Sequence, residues 1–323
     1  MTTLTAPPET TRRRSGLMGQ LRERGVYLAV AALFVFNLVF TANFATPDTL
    51  RLQLIQAVPI IIVALGMALV IGTEGIDLSV GAIMALAAAV IPLYLGYGVL
   101  PAIGMALLVG IGVGLLNGLM VAVVGLQPII ATLAVLVGGR GLALVMADGK
   151  LTELFDPTLS ALGYGKVFGV PLAVLLTVVL VIMVGFVMRR TLLGRQLVAV
   201  GGNRKASLLA GVPVRRTLFA VYALSGLLAA IAGVVLTART GAANPAYIGL
   251  EFELFAITAV VVGGTPLTGG RVRILGTVMG AMLMQLVSTT LVSHNLMDSD
   301  RRIVTALIII GAVALHQARR RSS

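Results

Sequence analysis

The sequence has no cysteine and no tryptophan, and only 11% of its 323 residues are charged. The missing thiols exclude disulfides and thiolate metal sites. A water-soluble globule has roughly 25% charged residues, so this chain cannot cover its surface with charge in water. The two histidines, His294 and His316, have no partner at a metal-ligand or triad spacing. We therefore predict no catalytic residue and no metal site.

Apolar runs fill nearly the whole chain, and 58% of its residues are hydrophobic. Breaking these runs at prolines, glycine pairs and charges leaves about ten segments, which we compare with the roughly 20 residues of a spanning helix. The segments are residues 25–40, 55–71, 78–95, 101–124, 128–146, 170–188, 218–236, 252–264, 274–291 and 303–315. The pattern predicts an all-α, polytopic membrane protein with about ten transmembrane helices.

Basic residues are concentrated in three places, which together account for much of the net charge of +12. They precede the first segment, fill the loop 189–216, and follow the last segment; the loop has seven basic residues and no acidic one. Short cytoplasmic segments of membrane proteins carry this excess of Lys and Arg. Aromatic residues are scarce near these charges, which argues against binding of nucleic acid.

The charge pattern also predicts the organisation of the chain. Residues 1–24 form a cytoplasmic basic tail, residues 25–317 one transmembrane domain, and residues 318–323 a second cytoplasmic basic tail. An even number of crossings places both termini in the cytoplasm, and the loop 189–216 then lies on the same side.

Two polar, glycine-rich stretches interrupt the apolar runs, one in each half of the chain. The glycines of these breaks are Gly72, Gly75 and Gly81 in the first half and Gly263, Gly264, Gly269 and Gly270 in the second. Non-helical backbone at membrane depth is tolerated where it is buried in protein or lines a water-filled cavity. Paired breaks therefore predict a transport pathway built from two repeated halves. The alternative is that the glycines only let helices pack or turn.

A few polar side chains lie within or beside the apolar segments. The candidates for lining a pathway are Asp77, Ser79, Asn117, Thr132 and Gln285. Amides and hydroxyls provide hydrogen-bonding partners that suit a neutral sugar better than an ion. A buried amide more commonly forms an interhelical hydrogen bond, and this alternative stays open.

The second break has the glycine spacing of a phosphate-binding loop, but not its other residues. Gly264 and Gly269 are five positions apart, and Gly270 stands where the motif requires lysine. The chain therefore binds no ATP through this motif, and energy from a nucleotide must come from a partner.

The basic loop 189–216 contains a turn followed by a short helical pattern. The turn is expected at residues 201–203, the helix at residues 204–210, and its end at Gly211. Leu208 and Leu209 on such a cytoplasmic helix need a surface to cover, either the membrane interface or a partner protein.

Four pieces of sequence in this order resemble the permeases of ribose-, galactose- and xylose-type monosaccharide ABC importers. They are residues 75–81 (GIDLSVG), 127–133 (QPIIATL), 201–211 and 263–271. The resemblance covers about residues 54–315. The chain departs from the family pattern at Ile129 or Ile130, where an aromatic is frequent, and at residues 265–266. Its closest likeness is to the galactofuranose subgroup.

The resemblance implies a multi-pass protein of the bacterial cytoplasmic (inner) membrane that works within a larger transporter. Its partners would be a second permease copy, identical or paralogous, a sugar-binding protein outside the cytoplasm, and cytoplasmic ATPase subunits. ATP and Mg²⁺ would bind to the ATPase, and no cofactor to this chain.

In that family the loop between the sixth and seventh helices carries a coupling helix that docks on the ATPase. The resemblance assigns this role to Asn203, Arg204, Lys205, Ala206, Leu208, Leu209, Ala210 and Gly211. The alternative function is an ion-coupled secondary sugar transporter or facilitator, for which only Glu74 and Asp77 could supply the buried carboxylate.

Overall fold

The computed structural model describes residues 17–297, 299–300, 303–304, 306–308 and 310–311. Its first helices are α1 (Leu17–Phe40), α2 (Pro47–Gly72), α3 (Val80–Leu95), α4 (Val99–Leu119), α5 (Pro128–Met146) and α6 (Pro157–Tyr164). They are followed by α7 (Leu172–Arg190), α8 (Leu192–Gly202), α9 (Arg204–Leu209), α10 (Val214–Thr240), α11 (Phe252–Val262) and α12 (Ile274–Ser293).

Six helices in the described part of the chain are long and apolar enough to cross a membrane: α2, α4, α5, α7, α10 and α12. The helical residues 25–40, α3 and α11 are apolar but shorter. Of the tenth expected segment, only seven residues between 303 and 311 are described, and they are helical. The prediction of a polytopic, mostly helical membrane protein is confirmed, whereas the count of ten stays a prediction.

Proline and capping side chains set where several helices begin. Pro47, Pro128 and Pro157 each occupy the first turn, where a missing N–H costs nothing. Before α6, the Asp156 carboxylate accepts hydrogen bonds from the backbone nitrogens of Thr158 (2.8 Å) and Leu159 (3.0 Å). The sequence did not predict this helix, because an eight-residue helix is too short to give a clear period.

The helices α2 and α10 lie at the centre of the bundle. In an 18-residue apolar stretch of α2, 89% is buried inside the protein, compared with 17% in the corresponding stretch of α5. Small residues allow close approach: a Cβ on Gly114 of α4 would meet the backbone of Tyr222 and Ala223 in α10. Packing is therefore densest around α2 and α10, and α5 presents most of its surface outwards.

Short strands link the loops at one end of the bundle. β1 (Thr152–Glu153) pairs antiparallel with β4 (Ala242–Ala243), and β2 (Lys166–Val167) pairs with β3 (Val170–Pro171). The first pair ties the loop after α5 to the loop after α10. Two-residue strands leave no recognisable alternation in the sequence.

Two local predictions differ from the structure. The expected turn at Gly201 and Gly202 is instead the last turn of α8, a helix that the sequence analysis did not predict. The chain turns at Asn203, one residue later. Gly81 lies in the first turn of α3 and not in the break itself. Of the basic tails predicted at residues 1–24 and 318–323, residues 1–16 and 318–323 lie outside the described residues, and residues 17–24 belong to α1.

Candidate functional site

The first break, between α2 and α3, is closed around a buried carboxylate. Asp77 is 0% exposed. Its Oδ1 accepts hydrogen bonds from the backbone nitrogen (3.1 Å) and the hydroxyl (2.6 Å) of Ser79. Its Oδ2 accepts a hydrogen bond from the Ser225 hydroxyl of α10 at 2.8 Å. Because a buried charge is costly unless it is hydrogen-bonded, these contacts hold the break to α10.

Asn117 and Thr132 attach two further helices to the same break. Asn117 Nδ2 donates to the Ser79 hydroxyl at 2.7 Å. The Thr132 hydroxyl accepts from the Leu78 nitrogen at 3.1 Å and lies 3.1 Å from the Ile76 carbonyl oxygen, to which it can donate. The break is thereby fixed by α4 and α5 as well as by α10.

We call Asp77, Ser79, Asn117, Thr132 and Ser225 the closed polar cluster. The structure brings together four of the five residues predicted to line a pathway and adds Ser225, which sequence reasoning missed. The only signal for Ser225 was a hydroxyl within an apolar run. The four predicted residues are all 0% exposed, so they face one another in this conformation. Their role as lining residues requires a conformation in which the cluster opens, and it stays a prediction.

The second break, between α11 and α12, combines a left-handed glycine with a side-chain hydrogen bond across its loop. Gly264 has a φ of 88°, a left-handed conformation in which glycine is favoured. The hydroxyl of the buried Thr265 accepts a hydrogen bond from the backbone nitrogen of Arg273 at 3.0 Å, across the whole loop. Thr265, a departure from the family pattern, therefore helps to close this loop.

The two breaks meet each other and the end of α8. The backbone nitrogen of Gly270 donates to the carbonyl oxygen of Gly72 at 3.0 Å. A Cβ on Gly201 would overlap that carbonyl oxygen and lie 2.6 Å from the Gly270 nitrogen. A Cβ on Gly269 would lie 2.8 Å from the Gly201 carbonyl oxygen. We call Gly72, Gly201, Gly269 and Gly270 the glycine junction.

The glycine junction could not be predicted from sequence spacing. Gly72, Gly201 and Gly270 come from three distant segments, and each looks locally like a helix end or a turn. Position 201 requires glycine, since any side chain there would displace the backbone of both breaks.

The helix α9 follows α8 without a linker. Asn203 ends α8 and caps α9, with its Oδ1 accepting a hydrogen bond from the Ala206 nitrogen at 2.9 Å. The eight residues assigned to a coupling helix are all exposed, Leu209 at 90% and Leu208 at 66%. Ser207, which was not among them, is buried. The helix thus presents leucines and basic side chains outwards, beside the glycine junction.

Gln285, the fifth predicted pathway residue, lies far from the other four. Its Nε2 donates to Gln56 Oε1 of α2 at 2.8 Å and to the Thr289 hydroxyl at 3.2 Å. These residues line a cavity of about 700 Å³ near the beginning of α2. The predicted pathway residues therefore fall into two groups, one closed and one beside an open space.

Comparison with known proteins identifies the family to which this chain belongs. The family model described as "Branched-chain amino acid transport system / permease component" matches residues 50–313. The chain belongs to this permease family. As a permease component it is a transport subunit and not an enzyme.

Several curated relatives of this permease are named for sugars. A fructose import permease protein of Bifidobacterium longum is 39% identical over 276 residues, 84% of this chain and 77% of the relative. A galactofuranose transporter permease protein of Escherichia coli is 39% identical over 266 residues, 82% of this chain and 78% of the relative. A ribose import permease protein of Bacillus subtilis is 35% identical over 314 residues, 95% and 96% of the two chains. No solved structure matches the permease significantly.

Proposed function

We propose that this permease is the membrane subunit of an ABC importer for a neutral monosaccharide. The family description mentions branched-chain amino acids, but the relatives compared above are named for fructose, galactofuranose and ribose. These names favour a sugar. They give no support to an ion-coupled secondary transporter, because the family is one of permease components.

The observation that carries the proposal is the position of α9 beside the glycine junction. A partner ATPase that binds ATP and Mg²⁺ would dock on Leu208, Leu209 and the basic side chains of α9. Since α9 is joined directly to α8, a displacement of α9 moves Gly201. Gly201 is in backbone contact with Gly72 and Gly270, so both breaks must move with it. ATP-driven motion would thereby reach the two breaks at the same time.

The proposed assembly includes two permease copies and a sugar-binding protein. Only 17% of the apolar stretch of α5 and 22% of that of α7 are buried. The exposed surfaces of these helices would face lipid or the second permease copy, which is identical or paralogous. The sugar-binding protein would dock at the end opposite α9. The protein would lie in the bacterial cytoplasmic membrane with α9, the loop 189–216 and both basic tails in the cytoplasm.

The test of this function is the double variant Asn203→Asp with Leu208→Glu. Both changes put negative charge on the exposed face of α9 without touching the bundle. We expect ATPase association and ATP-driven sugar uptake in liposomes to fall at least about tenfold, as for loss of a hot spot worth ~1.4 kcal/mol or more.

A matched control for this variant is Thr158→Asp with Phe168→Glu. Thr158 at the start of α6 and Phe168 in the β2–β3 turn are exposed, and both lie between α5 and α7, away from α9 in the chain. This control should keep ATPase association. If the Asn203→Asp, Leu208→Glu variant binds the ATPase and takes up sugar normally, α9 is not the coupling helix. Sugar uptake driven by a proton or Na⁺ gradient without ATPase would overturn the ABC assignment.

A further inference from the structure

A second polar region lies at the end of the bundle opposite the glycine junction. It is the cavity of about 700 Å³ bounded by the first half of α2, the start of α11 and the second half of α12. Gln56 in its wall and Gly72 in the junction are about 24 Å apart along the α2 axis, at 1.5 Å per residue. The cavity falls in the size range of small-molecule sites, roughly 300–1,000 Å³.

The walls of the cavity carry amides with unused hydrogen-bonding capacity. Gln285 donates to Gln56 Oε1 at 2.8 Å, and the Thr289 hydroxyl donates to Gln53 Oε1 at 2.6 Å. Within the described residues, neither Gln53 nor Gln56 donates a hydrogen bond from its own amide nitrogen to protein. An amide side chain has two N–H donors, and leaving them unpaired at membrane depth is costly. The cavity must therefore hold water or a polar ligand.

An aromatic surface faces the same space. Phe252 and Phe255 line the cavity, with ring centroids 6.4 Å apart and both rings half-buried. Tyr247 lines its exposed rim. Apolar and aromatic walls with a few convergent polar groups are typical of small-molecule sites. The charged Arg239 and Glu251 also line the cavity. A sugar matches this combination, because its ring has C–H faces for the aromatics and hydroxyl edges for the amides and the charged groups.

We infer that this cavity is a binding site for a neutral pentose or hexose within a single permease chain. This inference rests on the proposed function and adds a substrate-binding site that the closed polar cluster does not provide. Sugar would bind here between Gln53, Gln56 and Gln285 on one side and the phenylalanines on the other. A bare metal ion is a poor occupant, since no group of three His, Cys, Asp or Glu side chains occurs among the described residues.

The absence of cysteine gives a direct experiment, because single cysteines can be labelled without background. Ser288→Cys places a thiol on the cavity wall, and Thr158→Cys places one on the exposed start of α6. The permease with its ATPase and its sugar-binding protein would be reconstituted in phosphatidylcholine liposomes, without sugar-headgroup detergents. The thiols would be labelled with a membrane-impermeant maleimide. The probe is the sugar that the transporter takes up, chosen from ribose, fructose, arabinose and galactose.

At a sugar concentration ten times the dissociation constant, labelling of Ser288→Cys should slow about tenfold, because only unoccupied cavities react. Labelling of Thr158→Cys should not change. Adding Gln56→Leu should remove the protection of Ser288→Cys. Should Ser288→Cys fail to fold, Ser293→Cys at the cavity edge reports the same occupancy.

The outcomes separate this inference from the proposed function. ATP-driven uptake without protection of either cavity thiol overturns the cavity site and leaves the importer function intact. Protection by leucine and not by any of the sugars also overturns it, because the ligand class would be wrong. Absence of ATP-driven uptake of every sugar counts against the importer function itself, whatever the labelling shows.

Discussion

The closed polar cluster and the open cavity are two polar regions in the same apolar bundle, and they solve the burial problem in opposite ways. Around Asp77, both carboxylate oxygens accept hydrogen bonds and the side chain is fully buried. Around Gln56 and Gln285, the amides contact each other across about 700 Å³ of open space. The difference is that the closed polar cluster pairs its carboxylate within the protein, whereas the cavity leaves amide donors facing open space.

The two regions also differ in what they connect. The closed polar cluster joins α4, α5 and α10 to the first break, which begins at the glycine junction. The cavity joins α2, α11 and α12 near the opposite end of the bundle. Changes in the closed cluster should therefore alter stability and coupling, whereas changes in the cavity should alter sugar affinity.

The largest effect is expected for Asp77→Ala. Three hydrogen bonds to the carboxylate disappear, and the two serine hydroxyls and one N–H remain buried. We expect a loss of about 3–5 kcal/mol in the free energy of unfolding. Asp77→Asn should lose less, about 1–2 kcal/mol, because the serine hydroxyls can turn to meet the amide. Thermal and denaturant unfolding in detergent measures both. A fully stable Asp77→Ala would show that the cluster is not structural.

A somewhat smaller effect on stability is expected at the glycine junction. In Gly201→Ala the methyl group would collide with the Gly72 carbonyl oxygen, which should cost about 2–3 kcal/mol. ATP-driven uptake should fall more steeply than the yield of folded protein. Gly202→Ala is the matched control, since a Cβ there meets nothing within 4 Å. Equal uptake by the two variants would contradict the transmission through Gly201.

Asn117→Leu should have a moderate effect within the closed polar cluster. It removes one hydrogen bond to Ser79, whose hydroxyl still donates to Asp77. The Asn117 Oδ1 has no partner among the described residues, so nothing is lost on that side. We expect about 1 kcal/mol of destabilisation and no change in the KM for sugar. A rise in the KM for sugar with unchanged stability would show that Asn117 lines the transport pathway.

The smallest effect on stability is expected for Gln285→Leu, because water in the cavity can replace the lost amide contacts. Unfolding should change by about 0.5 kcal/mol or less. The KM for sugar uptake should rise about fivefold, as for one lost hydrogen bond of ~1 kcal/mol. Initial uptake rates across sugar concentrations measure this. An unchanged KM with a large loss of stability would make the cavity a structural region like the closed cluster.

The sequence predicted the helices better than the site. Nine of the ten expected segments overlap observed helices, because the bilayer fixes how long such a run must be; the first two helices begin eight residues earlier than expected. It missed α6 and α8, since helices of eight and eleven residues leave no long apolar run. It grouped Gln285 with Asp77, because both are polar residues in or beside apolar segments, and spacing does not tell which neighbour each one meets.

The sequence by itself determined that the chain is a membrane protein, where its long helices lie, and that a short basic helix occupies the loop 189–216 between the sixth and seventh apolar segments. These properties follow from local composition and from the free-energy cost of polar groups in hydrocarbon. Only the tertiary structure decided that Gly72, Gly201 and Gly270 touch, that Asp77 is saturated, and that the glutamines border an open space. Each of these depends on contacts between segments far apart in the chain, and packing alone sets such contacts.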